Sequence, residues 1–245
     1  MRLPDIKGFL ETSFVDWPGR LASVVFLPGC NFRCPYCHNH RLVLNPGDLA
    51  TWPLDAILGR LEGFRGWIDG VCVTGGEPTI HDALPEFLTL FRSRGWTLKL
   101  DTNGSRPEAL RGILSAGLVE AVALDVKAPL EPVPYRRNAG PGSDPEAVAE
   151  TLRVLADWGG WVDVRATVHP ELLSADELGR LAAQAGLALS RSDGDVRFTP
   201  QRCRPEEALD PALREKPSLS PEEFSQWAQP AKELFARTAF SRRRS

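Results

Sequence analysis

Apolar residues come along the chain in short runs, separated by longer stretches where apolar and polar positions alternate with a helical period. Runs at residues 21–27, 70–74, 96–101, 119–126, 161–168 and 195–199 predict six strands. Between them, residues 54–63, 83–94, 107–116, 145–157 and 175–185 predict five helices, several opening after caps such as Asp82, Ser143 and Ser174. Residues 221–240 predict a closing helix. This alternation is the signature of an α/β chain built from repeated β/α units around a parallel sheet. The apolar runs are evenly spread and predict one domain over residues 1–245: an extension at 1–20, the β/α units at 21–200, and a closing helix and tail at 201–245. The Pro/Gly-rich stretch 128–143 reads as a loop, and Arg242, Arg243 and Arg244 as a solvated tail. Periodicity leaves a full barrel, an open doubly wound sheet and a partial barrel all open. In each of these, chemistry gathers at the carboxyl ends of the strands.

At 245 residues and 42% hydrophobic content the chain can bury a substantial core. Its net charge of -3, from 29 basic and 32 acidic residues, is not the basic footprint of a phosphate-binding surface, so no nucleic acid partner is expected. The first residues lack a basic-then-apolar leader, and no apolar run approaches the roughly 20 residues that cross a bilayer. A cytoplasmic protein with no membrane partner is expected. In a reducing compartment, five cysteines with Cys30, Cys34 and Cys37 crowded together point to metal binding before disulfides.

These three cysteines lie in Gly29-Cys30-Asn31-Phe32-Arg33-Cys34-Pro35-Tyr36-Cys37-His38-Asn39, directly after the first predicted strand. Three thiolates can wrap a cubane iron-sulfur cluster and leave one iron open to a non-protein ligand. The alternative is a zinc site completed by His38 or His40, since zinc accepts thiolate and imidazole alike. The second predicted strand ends in Thr74-Gly75-Gly76-Glu77-Pro78, where two glycines let backbone approach a ligand and Glu77 adds an acceptor.

Together, the cysteine loop with an aromatic residue, Tyr36, before its last cysteine and the Gly-Gly-Glu-Pro turn one unit later resemble the radical-SAM (S-adenosylmethionine) enzymes. Gly8 through Gly19, the run from Pro28 to Asn39, Asp101-Thr102-Asn103-Gly104 and Leu124-Asp125-Val126-Lys127 resemble, more narrowly, the glycyl-radical activating enzymes, above all the activating proteins of anaerobic ribonucleotide reductase. The resemblance implies a partial (β/α)6 barrel with the cysteine loop after its first strand. It implies a [4Fe-4S] cluster on Cys30, Cys34 and Cys37, and SAM held by Tyr36, His38, Gly75, Gly76, Glu77, Asp125, Val126 and Lys127, with Lys127 neutralising the SAM carboxylate. It implies a monovalent cation near Asp101, Thr102 and Asp125, although both aspartates also read as strand-end turn residues. The implied partners are a glycyl-radical enzyme and, as electron donor, flavodoxin or ferredoxin. No catalytic side chain beyond the cofactor ligands is implied. Arg165, His169, Gln201 and Cys203 receive no role, and Cys72 reads as a buried small hydrophobe. Two rivals remain at this stage: a radical-SAM enzyme acting on a small molecule, in the manner of the carboxy-deazaguanine synthases, and a zinc-stabilised binding protein.

Overall fold

From β2 onward, strands are separated by one or more helices in the computed structural model, which describes residues 2–240. The strands are β1 (Gly8–Ser13), β2 (Ala22–Leu27), β3 (Gly70–Gly75), β4 (Leu98–Thr102), β5 (Ala121–Asp125), β6 (Trp161–Val168) and β7 (Val196–Arg202). The helices are α1 (His40–Leu44), α2 (Leu54–Gly63), α3 (Leu84–Arg92), α4 (Pro107–Ser115), α5 (Pro132–Ala139), α6 (Pro145–Trp158), α7 (Ala175–Ala188), α8 (Pro211–Arg214) and α9 (Pro221–Ala239). In the sheet the strands keep their chain order, from β1 to β7. All six predicted strands are present. The Arg242, Arg243, Arg244 tail lies outside the described residues.

Contacts gather the chain into two units. The first runs up to Asn31 and takes in Asn39–Thr102 and Arg111–Val122; the second takes in Phe32–His38, Asn103–Leu110 and the chain from Ala123 onward. In the first, β2 pairs in parallel with β3 and β3 with β4, placing Val24 beside Cys72 and Cys72 beside Lys99. Val24, Val25, Leu27, Val71, Val73, Leu98 and Leu100 are fully buried there. The strand β1 was not foreseen. It lies in the predicted extension and pairs antiparallel with β2; its sequence, Gly-Phe-Leu-Glu-Thr-Ser, shows no clean alternation, and backbone pairing decides its state.

In the second unit β6 and β7 pair in parallel from Val162 opposite Val196 to Val168 opposite Arg202. Helix α7 opens with a capping box in which Ser174 and Glu177 satisfy each other's backbone N–H groups, and α9 repeats the device with Ser220 and Glu223. The Phe235 ring of α9 stacks on Phe198 of β7 at 5.5 Å between centroids.

Two predicted caps are corrected. Helix α6 is capped by Asp144, which accepts from Glu146 N, because Pro145 takes the first helical position; Ser143 instead donates to Gly140 O. Helix α3 starts from Ala83 with no side-chain cap, so Asp82 does not serve. The predicted loop 128–143 contains α5. Its prolines fall at Pro132 and Pro134, in the first turn, where the missing N–H groups have no helical partner in any case.

Candidate functional site

In the first unit, β2 runs into Pro28-Gly29-Cys30 and β3 into Gly75-Gly76-Glu77-Pro78, and the two strand ends are tied through backbone. Gly76 N donates to Leu27 O at 2.9 Å, and Glu77 N to Gly29 O at 2.8 Å. The His81 ring donates to Pro28 O at 2.8 Å, and Asn39 Nδ2 to Gly75 O at 3.1 Å. This approach needs glycine: a Cβ on Gly76 would stand 1.7 Å from Gly29 O, and Gly75 has φ +127°. Glu77 is fully buried. Its Oε1 accepts from Thr79 N at 3.0 Å, from the Thr79 hydroxyl, and from the Thr102 hydroxyl at 2.7 Å. The carboxylate therefore pins its own turn to the end of β4.

Lys99 and Asp101 lie two apart on β4 and share one face of the strand. Both are buried, and the Lys99 ammonium is in direct contact with Asp101 Oδ1. Cys72 Sγ lies 3.4 Å from the same oxygen and 3.7 Å from Lys99 Nζ. Cys72 is thus not simply a hydrophobe but part of a buried polar cluster. Of the three residues expected near a monovalent cation, Asp101 has its Oδ1 against the Lys99 ammonium, Thr102 bonds Glu77, and Asp125 is held by Lys127 and Arg165.

In the second unit the later part of the cysteine loop rests on α5, the helix that sequence reading missed. Arg33 N donates to Ala139 O at 2.8 Å, and Phe32 meets Tyr135 edge-on at 6.3 Å. Cys37 N donates to Cys34 O at 3.0 Å, Asp210 N to Pro35 O at 2.9 Å, and the His38 ring to Arg204 O. Tyr36 and Tyr135 are buried beside Cys34, and neither hydroxyl has a well-formed hydrogen bond. Burial raises both phenols well above their ordinary values, so both stay protonated. Lys127 Nζ donates to Asp125 Oδ2 at 3.1 Å, and Arg165 Nε to Asp125 Oδ1 at 2.7 Å. Burial opposes the Asp125 charge, but Arg165 and then Lys127 outweigh it and hold the carboxyl well below the usual range. Burial likewise opposes charge on Lys127, yet Asp125 and Cys34 leave its ammonium more firmly protonated than usual. Val126 is buried, with its N–H donating to Arg165 O at 2.9 Å.

The residues left without a role separate clearly. Arg165 joins the Asp125 cluster. Gln201 is exposed on β7. His169 is buried, with Nδ1 accepting from Glu171 N at 3.3 Å, and burial lowers its pKa, keeping the ring neutral. Cys203 is buried, its thiol pushed up to about 11 by burial.

Residues 24–182 match the Radical SAM superfamily. The chain belongs to that superfamily. A Methanocaldococcus jannaschii protein assigned as a glycyl-radical enzyme activating enzyme is 26% identical over 232 residues, covering 93% of this chain and 91% of its own. The pyruvate formate-lyase-activating enzyme of Streptococcus mutans is 31% identical over 176 residues, 66% of this chain and 64% of the relative. Among solved structures, Streptococcus suis SuiB bound to S-adenosylmethionine superposes with a TM-score of 0.65 at 14% identity, over 87% of this chain and 49% of SuiB. That likeness is one of fold, and the fold is the partial (β/α)6 barrel expected from the sequence.

Radical SAM enzymes use a [4Fe-4S] cluster and SAM, and Cys30, Cys34 and Cys37 are thiols, with none of the five cysteines in a disulfide. Burial pushes the Cys34 thiol up to about 11 even though Lys127 pulls the other way, so this sulfur becomes a thiolate only when a cationic centre takes it. Among the described residues no helix is long and apolar enough to cross a membrane.

Proposed function

We propose that this radical-SAM enzyme is a cytoplasmic glycyl-radical activating enzyme whose partner is an anaerobic ribonucleotide reductase. The observation that supports the activating role is the likeness to the Methanocaldococcus jannaschii protein assigned as a glycyl-radical enzyme activating enzyme, over nearly the whole of both chains; the ribonucleotide reductase rests on the motif resemblance alone.

When bound, the cluster and SAM would supply one-electron reductive chemistry able to take hydrogen from a glycine Cα of the partner, with flavodoxin or ferredoxin as the electron source. The chain's own residues bind and orient. Cys30, Cys34 and Cys37 would hold the cluster. The backbone of Gly75 and Gly76 would receive the methionine amino group, with Glu77 fixing the turn through Thr79 and Thr102. Lys127, aimed by Asp125, would neutralise the SAM carboxylate. Tyr36 and His38 would line the adenine, and buried Val126 would hold the strand end that carries Lys127. Protonated Tyr36 and Tyr135 offer no anionic oxygen to the cluster.

The test is anaerobic incubation of the cluster-loaded protein with SAM, reductant and each glycyl-radical enzyme of the source organism, read by electron paramagnetic resonance. A glycyl doublet, with deuterium passing from the partner's glycine Cα into 5′-deoxyadenosine, supports activation. No doublet with any partner, together with turnover of a small molecule, overturns it.

A further inference from the structure

The buried cluster on β3 and β4 is the part of the first unit whose chemistry remains unassigned. A lysine with no exposed surface loses its hydration on burial and stays charged only with a close anion. Asp101, itself 5% exposed, provides it: its Oδ1 touches the ammonium, and the Cys72 sulfur sits against both groups. The geometry is that of a cation bound by a carboxylate oxygen and a sulfur, the cation being carried on the chain. The next residue, Thr102, reaches by its hydroxyl to Glu77, so this charge lies one residue from the pin of the Gly-Gly-Glu-Pro turn.

We propose that Lys99 is a built-in monovalent cation, supplying Asp101 with the positive charge that a soluble sodium or potassium ion would otherwise supply, so that the protein neither binds nor requires such an ion there. Three features carry this. The ammonium has one charge and contacts the carboxylate directly. It is tethered two residues from its partner, so its effective concentration at that oxygen exceeds that of any dissolved salt. A sodium or potassium ion entering beside it would also meet a like charge in a poorly solvated place.

The test is thermal unfolding of the cluster-loaded full chain without SAM, at constant ionic strength, in sodium, potassium, ammonium or tetramethylammonium chloride. It is therefore independent of how SAM is held. The wild-type protein should unfold at the same temperature in all four salts. Lys99→Met keeps the stem but stops one atom short of the ammonium, removing the positive charge from the Asp101 oxygen and leaving a space of that size. In tetramethylammonium, which is too bulky for this space, its midpoint should fall by roughly 10 °C, and ammonium or potassium should restore a large part of the loss. The double variant Lys99→Met with Asp101→Asn removes both charges of the pair; it should stay folded in every salt and gives the baseline for nonspecific salt effects. Wild-type protein stabilised by sodium or potassium beyond that baseline would overturn the proposal, as would a Lys99→Met protein that folds but ignores small cations. Should Lys99→Met not fold in any salt, the wild-type comparison against the double variant still decides.

Discussion

Arg165 Nε donates to Asp125 Oδ1 at 2.7 Å while Lys127 Nζ holds the other oxygen of the same carboxylate at 3.1 Å. One anion thus joins the ends of β5 and β6 and fixes the direction of two cations, leaving the trio with a net positive charge suited to an incoming carboxylate.

Asp125→Asn should destabilise the protein in a pH-dependent way. The folded carboxyl titrates far below its unfolded value of about 4, so its contribution is fully present above that pH and is lost as pH falls towards the folded pKa. The stability gap between wild type and variant should be level from pH 8 to 5 and narrow below about pH 4. Denaturant unfolding of the cluster-free proteins measures it, and a gap that widens on acidification contradicts the assignment.

Lys127→Ala should leave the cluster's absorbance intact and weaken SAM binding. Loss of a charged hydrogen bond costs about 1.5 to 3 kcal/mol, or roughly ten-fold to a hundred-fold in affinity. Anaerobic calorimetry checks this, and an unchanged dissociation constant removes Lys127 from the SAM site.

Cluster assembly should release protons, because the Cys34 thiol, raised to about 11 by burial, must give one up to iron. Reconstitution should be more complete at pH 8.5 than at pH 6.5, and in the cluster-free protein at pH 8 Cys34 should alkylate more slowly than an ordinary thiol of pKa about 8.5. Mass spectrometry of trapped peptides gives the rates; rapid labelling of Cys34 would show that burial does not control it.

Gly76→Ala puts a methyl group against the Gly29 carbonyl. The two loops must part, breaking the Glu77 N to Gly29 O bond, and SAM binding should be lost with a stability cost of at least about 2 kcal/mol. An alanine variant with native SAM affinity and melting temperature would show that the loops are not locked as described.

Phe235→Ala removes the ring stacked on Phe198 and should cost about 3 to 5 kcal/mol in unfolding free energy. Urea titration of the full chain measures it. A loss under about 1 kcal/mol would mean that α9 packs only loosely on β7.

The parallel strands and their helices were legible because both periods are local properties of the chain. Residues whose state is set by partners were not. Gly8–Ser13 becomes a strand because β2 offers it an edge, and Pro132–Ala139 becomes a helix although its prolines suggested a loop. The cysteine loop and the glycine turn were legible because bond lengths and close approach restrict which residues can serve. Tyr135, distant in sequence from Cys34, carried no such mark. Arg165 was visible as a charged residue at a strand end, but its pairing with Asp125 depends on how β5 and β6 are placed. Lys99 is marked in the sequence itself: a lysine inside the apolar run at 96–101 has to find an anion, and Asp101 two residues on is on the same face.

The ties between Gly29, Leu27 and the Gly75-Gly76-Glu77 turn are backbone hydrogen bonds. Oxidative destruction of the metal centre would therefore strip the inorganic part while leaving the segment leading into Cys30 in place. A chain that lost its metal to air would then keep this entry to the cysteine loop in place for renewed loading with iron and sulfide.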